Sequence, residues 1–525
     1  MRDFHRPGRS PVLATDGMCA TSHPLAAKIA VDTLQRGGNA VDAAIAAAIL
    51  LGLLEPAMTG IGGDCFALVK PAGDETVHAL NGSGRAPARL TGQALRARGL
   101  RAIPVDTADA VTAPGAVDAF CTLSARFGKL GLEDTLGPVI PYFERGVPVA
   151  PRVALDWTDA ADRLTGSARE TYLKAGAPYR QGEIFALPAH ADVLRRVARN
   201  GRSAFYEGEV AEDMIASLRA RGGLHDAADL SATKSTWHDP LSQPYKGVEL
   251  VEHPPNGQGA TALLLAGILG HFDLPALDPM GAGRAHLEAE ATKLAYDARN
   301  RFLADPDHVA RLEHMLAPET AERLAALIDP RRAMPAAAPR AEAVHRDTVY
   351  VTVVDRDRMA VSLIYSIFHS FGSGIASDRF GILFQNRGAG FTLERWHPNE
   401  LGPSKRPIHT IIPAMLRVDG RVTMPFGVMG GAYQANGHAR VLTNIVDYGM
   451  DPQSAIDAPR SFAEDRVLKV ERGYSDSVRA DLRAMGHAVE VPDLPIGGAQ
   501  AIRIDPAGYL EGASDPRKDG CALGY

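Results

Sequence analysis

Apolar and polar positions recur with two different periods along this chain, and the change of period divides it. Near the N-terminus Leu25, Ile29 and Leu34 fall at helical spacing. Thr21-Ser22-His23-Pro24 opens that helix, with Ser22 as N-cap and Pro24 in the first turn, and Gly37-Gly38 ends it. Asn39 caps a second helix, Ala40 to Leu54, which is apolar nearly all round and therefore buried; Pro56 stops it. The glycine-rich turn Thr59-Gly60-Ile61-Gly62-Gly63-Asp64 then feeds a strand, Cys65 to Val69, and residues 78–81 form another. From there to about residue 330 helical patterns dominate. Thr112-Ala113-Pro114-Gly115 is a turn before a helix, 185–235 carries several amphipathic helices, and 260–269 and 286–302 are two more. Residues 247–253 read as a strand.

At Thr348 the period becomes two. Val349-Tyr350-Val351-Thr352-Val353-Val354 is dense in β-branched and aromatic residues and is closed by Asp355-Arg356-Asp357-Arg358. A second apolar run, Ala360 to Ile367, completes a β-hairpin. Further strands are predicted at 382–385, 409–418 and 422–428, the last two joined at Asp419-Gly420, with a polar, Pro-containing loop over 392–407. Met429-Gly430-Gly431 leads into a helix around 436–448. Just before the hairpin, residues 333–347 are rich in Ala and Pro, lack apolar periodicity and read as a loop.

With 525 residues the chain exceeds one core of ordinary size. Its 46% hydrophobic and 22% charged content is that of a soluble globular protein, and a net charge of −6 with interspersed signs points to neither nucleic acid nor an anionic membrane. The longest apolar run, Ala43 to Leu54, is too short to span a bilayer. The N-terminus has no apolar secretory segment, so a cytoplasmic location is expected. Cys19, Cys65, Cys121 and Cys521 form no CxxC pair, so neither a zinc site nor a disulfide framework is expected.

Two stretches bear on chemistry. A glycine turn could cradle a phosphate, but phosphate loops run strand–glycines–helix and residues 59–64 run helix–glycines–strand, which excludes a nucleotide site. The second is Asp347-Thr348, where a loop meets a buried strand, the layout of a self-cleaving enzyme. Cleavage there makes Thr348 an N-terminus, and an N-terminal threonine carries its own base: the α-amine takes the hydroxyl proton. Its unperturbed pKa of about 7.7–8.0 leaves part of it free at neutral pH.

Several motifs in order then resemble one family: Ser22-His23-Pro24, Gly37-Gly38-Asn39-Ala40-Val41-Asp42-Ala43-Ala44, Gly60-Ile61-Gly62-Gly63, Pro114-Gly115, Phe371-Gly372-Ser373-Gly374, Lys405-Arg406-Pro407, Gly430-Gly431, Ala458-Pro459-Arg460 and Ala513-Ser514-Asp515-Pro516-Arg517. The chain resembles the gamma-glutamyltranspeptidases (gamma-glutamyltransferases), self-processing N-terminal nucleophile hydrolases. The resemblance implies an α+β fold, a four-layer αββα sandwich in which a large fragment (1–347) and a small one (348–525) intertwine. It implies Thr348 as nucleophile after scission at Asp347, Ser366 as a hydroxyl bonded to it, and the amides of Gly430 and Gly431 as the oxyanion hole. The implied activity is cleavage of gamma-glutamyl-type amides, as by a glutathione hydrolase, with water or an amino acid as acceptor and no metal or organic cofactor.

The departures from the family pattern are equally informative. Thr348 stands seven residues before Asp355 where the family's threonine stands six before; that spacing also looks like the oxamate amidohydrolase branch. Ser83 holds the place of the family's carboxylate-binding Arg, with Arg85 two residues on. Gly390 replaces the Asp that holds the α-amino group, within Asn386-Arg387-Gly388-Ala389-Gly390-Phe391. Phe368 replaces a glutamyl-binding Asn, and His409-Thr410 replace a Ser-Ser pair; the lid counterpart, 392–404, is shorter. Arg85, Asn386, Arg387, His409 and Thr410 are therefore the candidates for holding a small anionic amide. A site that has exchanged a carboxylate for Arg387 favours an anion over an ammonium. The alternative substrate is accordingly an acidic amide without an α-amino group, of oxamate or glutaryl type. A rival of another class is a scaffold relic that never processes.

The intact mass of the purified protein, beside Thr348→Ala, separates these. Two fragments, one starting at Thr348, in the wild type and a single 525-residue chain in the variant are expected. A wild-type chain that stays whole for days would favour the scaffold.

Overall fold

The computed structural model describes residues 8–334, 348–464 and 466–525. Asp347 and the loop expected over 333–347, from residue 335 on, lie outside them. Two seven-stranded sheets form the centre. The first runs, edge to edge, Cys521–Gly524, Met18–Thr21, Val349–Val354, Ala360–Ser366, Asp64–Lys70, His78–Gly82 and Thr236–His238. The second runs Val12–Ala14, Leu510–Ser514, Gly498–Ile504, Arg421–Met429, Ala414–Val418, Val248–Glu252 and Leu241–Tyr245. All pairings within both are antiparallel. Both sheets draw strands from either side of residue 347, so the two expected fragments interleave.

The period of two decides what each strand residue touches. Val349, Val351 and Val353 join the core formed with the helix Ala40–Leu54. Tyr350 packs with Phe66, Ile364, Ile411 and Met429 between the sheets, and Val354 lies in a second inter-sheet cluster with Leu68, Val251 and Met415. Helices Gly259–Leu269 and Gln434–Val446 cover the second sheet. The result is the four-layer αββα sandwich.

Helix Ala40–Leu54 is held at its start from far away. Asn39 and Asp42 form a capping box, and the carboxylate that closes the hairpin strand, Asp355, accepts the Ala40 N–H at 2.9 Å. Some expectations are corrected. The N-cap of helix Pro24–Gln35 is His23, whose Nδ1 accepts the Leu25 N–H at 3.2 Å, while Ser22 bonds the buried Glu55. The helix expected over 286–302 begins at Ala282, after Gly281. Residues 382–385 and 409–413 are not ladder strands, because their polar groups are satisfied elsewhere. Gln385 N–H donates to Gly62 O, His409 N–H to Asn256 O, and Ile412 N–H to the Gln434 side chain. No helix among the described residues is long and apolar enough to cross a membrane.

The sheets touch closely at Gly427, where an added Cβ would lie 2.3 Å from the Tyr350 ring. That ring is fixed by its hydroxyl, 2.6 Å from Ser362 Oγ. Gly427→Ala should therefore cost about 1–3 kcal/mol through overpacking, read as a lower urea midpoint. An unchanged midpoint would mean that the sheets part freely to admit the methyl group.

Candidate active site

Four polar residues end four adjacent strands of the first sheet in one row. Ser366 is paired with Asp64. Val349 pairs with Tyr365 and Cys65 with Gly82, so continuing each register by one residue sets Thr348 beside Ser366 and Ser83 beside Asp64. Neighbouring strands lie about 4.8 Å apart. By parity the row Thr348–Ser366–Asp64–Ser83 faces the second sheet, as do Tyr350, Ile364 and Phe66 one step along. All four residues are buried.

Glycines permit the close packing behind this row. A Cβ on Gly63 would meet Ser366 O at 2.4 Å, and one on Gly84 would meet Ala113 O at 1.6 Å. Gly62 and Gly63 of the glycine turn thus serve close contact between backbones.

Asp64 is the junction of the site. Its Oδ1 accepts the N–H groups of Gly84 (2.9 Å) and Gly115 (3.1 Å) and the Gln385 amide (2.8 Å). Its Oδ2 lies 3.0 Å from His409 Nε2, which donates to it. Burial pushes its pKa up to about 6, against the opposing pull of Gln385, Arg387 and the two backbone amides. With these donors converging on its two oxygens, the group acts as an acceptor.

Arg387 is fully buried. Its Nη1 donates to Thr410 Oγ1 at 3.1 Å, and its guanidinium lies 3.8 Å above the Phe368 ring. Nε and Nη2 have no hydrogen-bond partner among the described residues. These two N–H groups form the side-on fork of the guanidinium, the edge that takes both oxygens of a carboxylate. Burial lowers the pKa of Arg387, and Asp64 pulls it back up. A guanidinium in this position gains strongly from an anionic partner.

The second sheet supplies Gly430 and Gly431, directly after strand Arg421–Met429. Both have positive φ, +119° and +56°, where a side chain is strained, and a Cβ on Gly430 would lie 2.8 Å from Gly497 Cα. The helix that follows begins with Gln434, whose Nε2 is 3.4 Å from Thr348 Oγ1 and whose Oε1 accepts the Ile412 N–H. Gln258 braces the same turn through Gly431 O and Thr410 O.

The structure thus brings Thr348, Ser366, Arg387, His409 and Thr410 to one inter-sheet region, with Gly430 and Gly431 at the end of the facing sheet. Arg85 is used differently. It is more than one-third exposed, pairs with Asp305 at 3.4 Å and donates to Ser404 O at 2.9 Å, so it props the 392–404 loop. Asn386 also has a supporting part: its Oδ1 accepts the His369 N–H and its Nδ2 donates to Val105 O. Asp64, Gln385 and Gln434 were not singled out from the sequence. Asp64 was detectable as the one charge closing a glycine run before an apolar strand; Gln434 gave no local signal.

Comparison with known proteins identifies the family. The gamma-glutamyltranspeptidase family profile matches residues 26–525. The chain is 36% identical to the glutathione hydrolase-like YwrD proenzyme of Bacillus subtilis, over 98% of this chain and 99% of that one. It is 35% identical to the oxamate amidohydrolase proenzyme of Klebsiella pneumoniae, again over 98% and 99%. Cephalosporin acylase from Bacillus halodurans has the same fold, with a TM-score of 0.93 and 37% identity over 100% of this chain and 99% of that one. With this match from residue 26 to the last residue, the chain belongs to the gamma-glutamyltranspeptidase family of hydrolases.

Proposed function

We propose that this chain cuts itself between Asp347 and Thr348 and then hydrolyses amides whose acyl half carries a carboxylate, as gamma-glutamyl-type amides do. The observation that carries the substrate class is the Arg387 fork, buried and without a partner among the described residues.

In the uncut chain the Thr348 nitrogen belongs to a peptide bond and is no base. Thr348 Oγ1 attacks the Asp347 carbonyl, the acyl group moves from nitrogen to oxygen, and water hydrolyses the ester. The freed α-amine then takes the hydroxyl proton for attack on the substrate carbonyl. The amides of Gly430 and Gly431 receive the oxyanion; losing one such donor typically costs about 2.7–4 kcal/mol. The amine leaves with a proton, and water or an amino acid releases the acyl group from Thr348. Relatives named as proenzymes support the processing step.

Within the carboxylate-bearing class, a gamma-glutamyl group adds an α-ammonium, whereas glutaryl or oxamyl groups do not. One set of observations favours the second kind. Gly390 stands where the family pattern has the Asp for the ammonium. The nearby carboxylate, Asp64, already accepts three donors on one oxygen and the His409 ring on the other. Phe368 adds an apolar ring beneath Arg387.

Turnover of gamma-glutamyl-anilide and glutaryl-anilide by the processed enzyme tests this reading. Glutaryl-anilide should be cleaved at least as well. Arg387→Gln should raise its KM roughly ten- to hundredfold, the equivalent of a charged hydrogen bond worth about 1.5–3 kcal/mol. Arg387→Lys, lacking the planar fork, should rescue it only in part. If removing the α-amino group abolishes turnover, the substrate is gamma-glutamyl. If Arg387→Gln leaves KM unchanged for both anilides, Arg387 does not hold the acyl carboxylate.

A further inference from the structure

Away from the Thr348 region, helix Ala282–Phe302 carries His286 and Glu290 one turn apart, on the same face. The turn after helix Asp476–Ala484 brings His487 against them. One ligand atom from each lies within 4.8 Å of the others, and all three residues are buried. We propose that His286, Glu290 and His487 bind one divalent transition-metal ion of the zinc class, joining residues that lie on opposite sides of the Asp347–Thr348 bond.

The hydrogen bonds define which atoms face the centre. His286 Nε2 donates to Asp329 O at 2.8 Å, which leaves its Nδ1 lone pair directed at the cluster. Metal-binding histidines usually show this arrangement, with the second ring nitrogen donating to a carbonyl or carboxylate. His286 Nδ1 accepts from His487 Nε2 at 2.8 Å, and His487 Nε2 lies 3.9 Å from Glu290 Oε1. Around a tetrahedral zinc with bonds of roughly 2.0–2.1 Å, ligand atoms stand about 3.3 Å apart. The histidines therefore need to open slightly and the Glu290 carboxylate to close in. Neutral His487 moves its proton from Nε2 to Nδ1 and donates the freed lone pair, with no net proton released. Two imidazoles and one carboxylate, completed by water, suit zinc, cobalt or nickel better than magnesium or calcium.

One side chain competes with the ion. Lys293 Nζ is 2.5 Å from Glu290 Oε1 and 3.1 Å from Met334 O. Glu290 Oε2 meanwhile accepts the Met334 N–H at 2.7 Å. The ion must displace the ammonium from Oε1, so Lys293 sets the affinity, and replacing it by an uncharged residue of similar length should strengthen binding.

The test is titration of chelator-treated, full-length purified protein with Co(II), followed by visible absorption and then displacement with Zn(II). One equivalent of cobalt with tetrahedral d–d bands, bleached by zinc, is expected. Lys293→Met should bind at least tenfold more tightly, and His487→Gln and His286→Gln should give no bands. Absence of bands in both the wild type and Lys293→Met would overturn the proposal, as would bands that survive His487→Gln. Should the histidine variants fail to fold, the Lys293→Met titration still decides: affinity equal to the wild type's means that the ion binds elsewhere.

Discussion

A carboxylate buried without partners would cost several kcal/mol, and Asp64 sits at the end of a strand with no exposure at all. The structure answers that cost with four donors from four separate segments: the turns at Gly84 and Gly115, the loop residue Gln385 and the ring of His409. Each donor comes from a stretch that forms no regular ladder at that point. The irregular stretches 382–385 and 409–413, whose backbone N–H groups bond loop carbonyls and the Gln434 side chain, each supply one of these side-chain donors. That irregularity in turn lets His409 and Thr410 face the site instead of continuing a strand.

Around this junction, residues without side chains do as much as residues with them. Gly63 and Gly84 let backbones approach Ser366 and Ala113 at distances no Cβ would tolerate. Gly430 and Gly431 adopt positive φ where the chain turns from strand to helix. The same sandwich thus supports a polar row on one sheet and a glycine turn on the other. The apolar contact of Tyr350 with the second sheet keeps the two in register one step away.

The charge balance of the site explains its departures from the family pattern. Arg387 is held by Thr410 and Phe368 rather than by a carboxylate, and the two N–H groups of its open edge have no hydrogen-bond partner among the described residues. Asp64 is near enough to raise its pKa yet spends its own oxygens on other donors. Glycine at position 390 and a buried guanidinium three residues earlier are the two features on which the proposed preference for a simple anion rests. The family relationship fixes the class of chemistry; the proposed acyl preference rests on these few side chains.

Much of this was legible in the sequence, because it depends on neighbours along the chain. The period-two run from Val349 to Val354, the cap at Asn39, the all-apolar helix after it and the glycine pair at 430–431 are local patterns, and local patterns survive folding unchanged. The ordered motifs supplied the family and, through it, the layers. Expectation and structure part where tertiary partners overrode local preference. Ser22 left its capping position to bond Glu55, and Arg85 was drawn to Asp305. Apolar runs at 382–385 and 409–413 lost their ladders to side-chain acceptors and loop carbonyls. Contacts such as Asp64–His409 and His286–His487, separated by 345 and 201 residues, have no local signature. A charge finds its partner only after the sheets have stacked, so the sequence determined the elements and the reaction class, and tertiary structure alone decided which polar atoms were left to bind a ligand.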